Sequence, residues 1–244
     1  GGLSGLVSAY LLGGGRTKVT VLEANTHLGG RVHTERWPNG QISELGFEEF
    51  FDEDTYPDIW WLVRELALQD QVTRYRGSMG AYLRDEYIPP GSYSKWIRDL
   101  PWSADTDPDD FNSMISHVSG GVGQLSMPHD AASYAALDSE SMKDWISRSY
   151  DRSGSGDVNW LTSIFLQPEI GVPSDRTSAA YAILNLWIWY NSDLYHLRDG
   201  NDQFISRLVD KLPPNSVTLD AKVSAVRNLP DNEGVEVEYT DRSG

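Results

Sequence analysis

Three groups of residues near the start of the chain have the types and spacing of a dinucleotide site. Gly2 and Gly5 stand at the second and third glycine positions of a G-x-G-x-x-G pattern whose first glycine would precede Gly1. The second glycine lets backbone N–H groups approach a pyrophosphate at a helix N-terminus, and the third lets that helix pack closely on a sheet. The half-motif alone does not distinguish such a site from a glycine-rich terminus.

The stretch EANTHLGGRVHT, residues 23–34, supplies the second and third groups. Glu23 ends an apolar run 18 positions after Gly5, near the offset of roughly 20 residues at which an acid binds the ribose hydroxyls of a dinucleotide. The two glycines that follow would bring the backbone beside a phosphate, and the planar fork of Arg31 can neutralise a pyrophosphate. An acid so close to a Gly-Gly-Arg turn favours an adenine dinucleotide over a chance turn.

The same residues resemble the FAD signature of the flavin-containing amine oxidoreductase family, which includes monoamine oxidases, polyamine oxidases and L-amino-acid oxidases. The matching sequence is GGLSGL followed by VTVLEANTHLGGRVHT. Three further segments resemble later parts of these enzymes: ISELGFEEF, YHLRDGNDQFISRL, in which Asp199 replaces a glycine, and TLDAKVSAV. The resemblance spans most of residues 1–50 and 195–240, and the middle of the chain is less diagnostic.

The resemblance implies FAD as the cofactor. It places Gly46 and its neighbours near the flavin and the ribityl chain, and it places the backbone of Val223 near the adenine. The complete set of implied cofactor contacts is Gly2, Leu3, Ser4, Gly5, Glu23, Ala24, Gly30, Arg31, Gly46, Phe47 and Val223.

The resemblance further implies FAD-dependent oxidation of an amine or amino acid, with hydride transfer to the flavin and molecular oxygen as the acceptor, giving imine and hydrogen peroxide. In this family the lysine near flavin N5, the aromatic walls and the last FAD motif lie in a C-terminal part, so no catalytic residue is assigned here. We therefore expect a fragment that lacks both ends of the enzyme. Two alternatives stay open: a desaturase or protoporphyrinogen-type oxidase with the same FAD domain, and a non-catalytic FAD-binding fragment that needs a second chain.

One departure from the family bears on the substrate. Where L-amino-acid oxidases carry an arginine that pairs with the substrate carboxylate, the matching stretch GFEEF carries Glu48 and Glu49. A carboxylate at this place would repel a substrate carboxylate. The sequence therefore slightly favours an amine without a carboxylate, unless both glutamates face solvent.

The composition excludes several classes of partner and site. With 36 acidic and 20 basic residues, the chain has a formal net charge of −16 and repels nucleic acids. The absence of cysteine removes disulfides and thiolate metal sites. No metal-ligand spacing occurs among the five histidines, His27, His33, His117, His129 and His196. The longest apolar run, residues 179–190, is too short for a transmembrane segment. The compartment, cytoplasmic or secreted, and the oligomeric state, including a homodimer, stay open.

The apolar pattern predicts an α/β fold, in which a discontinuous, Rossmann-like FAD-binding domain holds an inserted α+β substrate lobe. The first part of the FAD domain is placed at 1–75, the lobe at 76–195 and the returning part at 196–244. Helices are predicted at 5–12, 55–70, 139–150, 179–190 and 199–213, and strands at 18–24, 72–76, 80–84, 86–90, 216–220, 222–228 and 235–239. Thr55 and Asp58 have capping-box spacing. The acidic stretch 103–110 is predicted as a surface loop.

Four aromatic residues before the returning segment, Trp187, Trp189, Tyr190 and Tyr195, allow two interpretations. They could form walls beside a flavin ring that exclude water from a neutral amine. The favoured interpretation is that they belong to the core around a buried helix.

Overall fold

The chain contains both helices and strands, and the computed structural model describes residues 1–13, 17–76, 80–90, 98–120, 131–151, 154 and 156–241. The chain forms two compact units. Unit 1 consists of Gly1–Tyr75 and Leu194–Gly244, and unit 2 consists of Arg76–Asp193. The predicted mixture of helices and strands is confirmed.

The first part of unit 1 begins with a helix and continues through short strands. In chain order its elements are α1 (Leu3–Gly13), β1 (Val21–Leu22), β2 (Thr34–Arg36), β3 (Ile42–Glu44), β4 (Phe50–Phe51), α2 (Pro57–Glu65), a 3₁₀ turn (Gln69–Gln71) and β5 (Val72–Arg74). Leu6 and Ala9 lie on one face of α1 and are buried, which is the spacing that directs a helix onto a core.

The start of helix α2 differs from the predicted capping box. Its N-cap is Tyr56, without a side-chain capping hydrogen bond, and Pro57 lies in the first turn. Proline suits this position because it has no N–H that needs an acceptor and its φ is already helical. The Thr55 N–H instead donates to the Asp52 carboxylate at 3.1 Å. Thr55 therefore belongs to the preceding turn, and the capping-box prediction was wrong.

The described residues of unit 2 contain a β-hairpin followed by helices. In chain order the elements are β6 (Ala81–Leu83), β7 (Glu86–Ile88), α3 (Pro108–Gly120), α4 (Ala131–Asp138), α5 (Met142–Ser149), α6 (Asp157–Ile170) and α7 (Ala179–Asn191). Helix α3 includes the end of the acidic stretch, where Pro108 starts the helix and Asp110 is buried. The surface-loop prediction is therefore wrong for residues 108–110.

The core of unit 2 surrounds α7, as its apolar sequence predicts. Ala182 and Ile183 of this helix are completely buried, as are Met142 and Ile146 of α5. Ser178 caps α7 by accepting a hydrogen bond from the Tyr181 N–H at 3.3 Å. Within the described residues, no helix has both the length and the apolar character needed to cross a membrane.

A buried carboxylate, paired with an exposed arginine, lies at the start of α6. The Asp157 carboxylate accepts hydrogen bonds from the Arg84 guanidinium at 2.6 Å, the Ser103 N–H at 2.5 Å and the Thr106 hydroxyl at 2.9 Å. The Arg84 guanidinium also lies 4.1 Å from the centroid of the Trp160 ring. Burial raises the pKa of the Asp157 carboxyl, but these hydrogen bonds outweigh burial and lower the pKa to about 2.

The returning part of unit 1 adds strands to sheets that the first part begins. Its elements are β8 (Leu194–Leu197), α8 (Gln203–Lys211), β9 (Val217–Thr218), β10 (Lys222–Asn228), a 3₁₀ turn (Pro230–Asn232) and β11 (Val235–Thr240). Strand β8 lies between β4 and β5 and is antiparallel to both. Strand β9 pairs in parallel with β1, with Val217 opposite Val21. Strands β2 and β3 form one antiparallel hairpin, and β10 and β11 form another.

Aromatic rings fill the core of unit 1 where its two parts pack together. The rings of Phe50 and Phe204 meet edge to face with centroids 6.0 Å apart. Tyr195 of β8 contacts Trp60 of α2 in the same geometry at 5.1 Å. The edge-to-face arrangement is the one that aromatic quadrupoles favour, and it joins residues distant in sequence into one core.

Candidate functional site

Two pairs of glycines meet at the start of α1. The Gly29 N–H donates a hydrogen bond to the Gly1 carbonyl at 3.0 Å, and Gly2 forms a parallel bridge with Gly29. A Cβ atom at Gly30 would lie 3.3 Å from the Cα atom of Gly2, and the φ of Gly30 is +57°. Backbones that approach this closely in this conformation favour glycine.

Glu23 is buried beside Gly1 at the end of β1. Its Oε2 lies 3.1 Å from the Gly1 nitrogen, and its Oε1 accepts hydrogen bonds from the backbone N–H and the side-chain amide of Asn25 at 2.8 and 2.9 Å. The backbone hydrogen bond from Asn25 is the largest cause that lowers the pKa of the Glu23 carboxyl, against the opposing effect of burial. The carboxylate is therefore ionised at neutral pH and is an acceptor for hydroxyl groups.

The first turn of α1 presents backbone donors next to these glycines. The Leu6 N–H donates to the Gly2 carbonyl at 3.0 Å, so the helical hydrogen bonds begin there. The N–H groups of Leu3, Ser4 and Gly5 have no intrahelical acceptor because they precede the first complete turn. These donors and the helix dipole favour an anion at this end of α1.

Among the described residues, Gly5 makes no close packing contact on its Cβ side. A Cβ atom at Gly5 would have no heavy atom of the described residues within 4 Å. The described residues thus leave open space beside Gly5. A cofactor contact by Gly5 stays a prediction.

Arg31 and Gly46 approach each other through their backbones. The Phe47 N–H donates to the Arg31 carbonyl at 2.9 Å, and a Cβ atom at Gly46 would collide with the same oxygen. The Arg31 side chain is exposed, and among the described residues its guanidinium has no carboxylate partner. An exposed guanidinium without a counter-ion is available to a phosphate.

Strand β10 begins beside Glu23. The Ala221 N–H donates to the Glu23 carbonyl at 2.8 Å, and the Asp220 N–H donates to the Asn25 carbonyl at 3.1 Å. Val223 follows two positions later, and 40% of its surface is exposed. In the part of the chain that the structure describes, no hydrogen bond joins Val223 to Glu23.

The residues that the sequence predicts for the site form two adjoining groups in unit 1. The first group lies around the start of α1 and consists of Gly2, Leu3, Ser4, Gly5, Glu23, Ala24 and Gly30. The second group consists of Arg31, Gly46 and Phe47. Val223 lies outside both groups, two positions after the segment that contacts Glu23. Their roles toward a cofactor stay predictions.

A buried polar network next to the second group was missed by sequence reasoning. Asn201 is completely buried, and its side-chain amide donates to the carbonyls of Phe47 and Glu48. The neighbouring Gly200 has a φ of +106°. The sequence signal is a Gly-Asn pair, which is typical of a turn and gives no indication that the asparagine is buried.

The four aromatic residues before the returning segment do not form one group. Tyr195 packs in the core of unit 1 and Trp187 packs against the core of unit 2. Both positions agree with the core interpretation. Trp189 is half-buried and Tyr190 is 37% exposed.

The histidines and acids form no metal centre in the described part of the chain. Within that part, no group of three or more His, Asp or Glu side chains is arranged to hold a metal ion. His129 lies outside the described residues.

A family model described as flavin-containing amine oxidoreductase matches residues 3–244. Among curated proteins, 15-cis-phytoene desaturase of an Oncidium hybrid cultivar is 29% identical over 160 residues, which cover 60% of this chain and 26% of that protein. The chain therefore spans about a quarter of the length of this relative.

Solved structures of putrescine oxidase have a similar fold. The wild-type enzyme bound to putrescine has a TM-score of 0.70 at 22% identity, over 98% of this chain and 53% of that chain. A point mutant of the same enzyme has a TM-score of 0.68 at 21% identity, over 98% and 52% of the two chains. The present chain thus spans about half the length of these enzymes.

Proposed function

Because the chain belongs to the flavin-containing amine oxidoreductase family, we propose that unit 1 is a discontinuous, Rossmann-like FAD-binding domain of an amine-oxidising enzyme. The family match confirms the resemblance found in the sequence and implies FAD as the cofactor. The observation that carries the proposal is the contact of Gly1 and Gly2 with Gly29 and Gly30 beside the buried Glu23. Backbone donors and a carboxylate acceptor thus lie at one end of α1.

The residues around this contact fit the adenosine diphosphate half of FAD. A Cβ atom at Gly1 would collide with Glu23 Oε2, so the space beside the carboxylate is kept free of side chains. Glu23 would accept hydrogen bonds from the ribose hydroxyls. The N–H groups at the start of α1 and the Arg31 guanidinium would hold the pyrophosphate, because both supply positive charge without a partner in the described residues.

The remaining predicted residues would contact the two ends of the cofactor. Gly46 and Phe47 would approach the flavin and the ribityl chain, and the Val223 backbone would approach the adenine. The backbone contact between Gly46 and Arg31 supports this order along the cofactor, since it places the proposed flavin segment next to the proposed pyrophosphate segment.

When bound, the flavin would accept a hydride from the carbon next to the substrate nitrogen, molecular oxygen would take up the electrons as hydrogen peroxide, and the imine would hydrolyse. The residues of this chain hold and orient the cofactor for this reaction.

Unit 2 is proposed as the inserted substrate lobe. Tyr195 is excluded from the walls of that lobe because its ring lies in the core of unit 1.

A cationic amine without a carboxylate is the proposed substrate class. Because the Glu48 side chain is exposed to solvent, it gives little support for this class, and the proposal rests on the net charge of −16. A negatively charged protein attracts a protonated amine and repels a carboxylate. Putrescine, to which one structurally similar enzyme is bound, is a diamine of this class and serves as the first test compound.

The proposal is tested by flavin absorbance under anaerobic conditions. The purified chain is loaded with FAD and mixed with putrescine, with simple monoamines and with L-amino acids. Bleaching by an amine, reversed by oxygen with formation of peroxide, supports the proposal. Bleaching by an L-amino acid or by phytoene, but by no amine, in a chain that holds FAD contradicts it.

A desaturase is the second candidate, because the curated relative is a phytoene desaturase. The same FAD domain would then serve a hydrophobic substrate oxidised at adjacent carbon atoms. Bleaching by a carotenoid precursor such as phytoene in detergent, but by no amine, would favour this candidate. A protein that stays colourless with added FAD would favour a non-catalytic piece that needs a second chain.

A further inference from the structure

The turn before α8 contains an asparagine that is completely buried and fully hydrogen-bonded. The side-chain amide of Asn201 donates to the carbonyls of Phe47 and Glu48 at 2.8 and 2.9 Å. Its Oδ1 accepts a hydrogen bond from the Leu197 N–H at 2.9 Å. Both amide hydrogens and the amide oxygen are therefore used.

The backbone of the same turn is bound by the β2–β3 hairpin. The Asn201 N–H donates to Glu44 Oε1 at 2.7 Å, and Glu44 Oε2 accepts from the Thr34 hydroxyl at 2.7 Å. The Thr34 hydroxyl in turn accepts from the Asp202 N–H at 3.0 Å. These four residues form a closed ring that joins the start of β2 and the end of β3 to residues 201 and 202.

An exposed ion pair reinforces this junction. The Arg36 guanidinium donates two hydrogen bonds to the Asp202 carboxylate, both at 2.7 Å, and a third to the Asp199 carbonyl at 2.7 Å. Because the guanidinium is planar, this bidentate contact also fixes the orientation of the turn. The β2–β3 hairpin and the turn before α8 are thus held together on two sides.

The segments proposed to hold FAD lie directly on either side of this hairpin. Two residues separate Arg31 from the start of β2, and one residue separates the end of β3 from Gly46 and Phe47. The amide of Asn201 binds the carbonyl of Phe47 itself. The position of that carbonyl and of its neighbour at Glu48 therefore depends on one side chain from the returning part of the chain.

We propose that Asn201 is a positioning residue for FAD, which sets the backbone of residues 46–48 against the flavin through its two amide hydrogen bonds. This inference rests on the proposed function. Only an uncharged amide supplies two donors and one acceptor from this position. Aspartate would place a negative charge against two carbonyl oxygens, and alanine would leave both carbonyls without their donor.

The test compares Asn201→Asp and Asn201→Ala with Leu208→Ala in the full chain. Leu208 is completely buried in α8 and takes part in none of the hydrogen bonds that join Thr34, Glu44, Asn201 and Asp202, so its truncation measures what a loss of stability alone does. Hydrogen–deuterium exchange is measured on the FAD-free proteins. FAD affinity and the visible absorbance spectrum of bound flavin are measured after loading.

Without FAD, both Asn201 variants are expected to show faster amide hydrogen exchange at residues 44–49. With FAD, they are expected to bind the cofactor roughly tenfold more weakly and to show shifted flavin absorbance maxima. Leu208→Ala is expected to lower the melting temperature while leaving the absorbance maxima and the exchange at residues 44–49 as in the wild type. Unchanged maxima and affinity in both Asn201 variants would overturn the inference.

Failure of the proposed function gives a different result. If the wild-type chain binds no FAD, the proposed cofactor domain is wrong, and the role of Asn201 toward FAD falls with it. The exchange data then decide the structural part separately: unchanged exchange at residues 44–49 in Asn201→Asp would also contradict the positioning of this segment.

Discussion

The backbone N–H of Gly29 donates a hydrogen bond to the carbonyl of Gly1 at 3.0 Å. This bond holds the Gly-Gly-Arg turn against the two glycines that precede helix α1, and it places them beside Glu23, whose Oε2 lies 3.1 Å from the Gly1 nitrogen. The three groups that the sequence singles out thus meet at one end of one helix. A carboxylate acceptor, free backbone donors and an exposed guanidinium are what the sugar and diphosphate of an adenine cofactor need.

Replacement of Glu23 by glutamine is expected to weaken FAD binding about tenfold, because hydrogen bonds to a charged acceptor contribute more than those to a neutral amide. Isothermal titration calorimetry of the FAD-free protein measures the change. Glu53→Gln is the matched control, since Glu53 is exposed and pairs with Arg64 in the same unit. Equal losses of affinity in the two variants would contradict a specific role of Glu23.

Replacement of Arg31 by lysine keeps the charge but removes the planar fork. We expect FAD affinity to fall roughly fivefold to tenfold at low salt, because a point charge cannot bind two phosphate oxygens in parallel. Arg148→Lys is the control, since Arg148 pairs with Glu140 in unit 2. Affinity that is identical in Arg31→Lys and in the wild type at every salt concentration would remove Arg31 from the site.

Two glycine substitutions are expected to change stability in opposite directions. In Gly46→Ala the new Cβ collides with the Arg31 carbonyl, and overpacking of this kind typically costs about 1–3 kcal/mol. In Gly5→Ala the Cβ meets open space within α1, and alanine stabilises a helix interior by up to about 1 kcal/mol relative to glycine. Urea unfolding of the FAD-free proteins measures both. A Gly46→Ala protein as stable as the wild type would show that these backbones are not in contact.

The ion pair at Asp157 is expected to make the stability of unit 2 depend on pH in the acid range. Its pKa falls from an ordinary 3.8 to about 2 in the folded state, which corresponds to roughly 2 kcal/mol of stability. Because the folded-state pKa is lowered, this contribution is complete above the unfolded pKa and is lost as the pH falls toward 2.

The comparison of the wild type with Asp157→Asn measures this contribution. The wild type should be the more stable protein at neutral pH, and the difference in unfolding free energy should shrink by about 2 kcal/mol between a pH of about 4 and a pH of about 2. Asp138→Asn, at an exposed position of unit 2, is the control. A difference that stays constant with pH would show that the Asp157 carboxyl has an ordinary pKa.

Helices α2, α5, α7 and α8 could be predicted from the sequence because their apolar residues follow a repeating pattern, whereas α3 and α6, which are as long as α7, were not predicted. Phe204, Ile205 and Leu208 recur at helical spacing and are buried in α8. The first strand was predicted over residues 18–24, yet only Val21 and Leu22 pair with β9. Strand β9 is also only two residues long. Because it lies almost 200 residues later in the chain, the sequence around β1 does not indicate where the pairing ends.

The first group of site residues could also be predicted, since glycine spacing and a following acid carry a physical meaning. The hydrogen-bond network around Asn201 could not be predicted from the sequence. A buried polar residue becomes recognisable only when the groups around it are known, and its partners Phe47 and Glu48 lie about 150 residues earlier in the chain. The wrong capping box at Thr55 has a similar cause, because Asp52 competes for the same N–H.

The glycine contact beside Glu23 is proposed to hold the adenosine diphosphate half of FAD. The most direct measurement is a competition titration of the purified chain with FAD, ADP and FMN, in which isothermal titration calorimetry detects binding. We predict saturable binding of one FAD per chain that ADP displaces competitively and that FMN, which lacks the adenosine diphosphate, does not. Absence of saturable FAD binding, or displacement by FMN but not by ADP, would contradict the account.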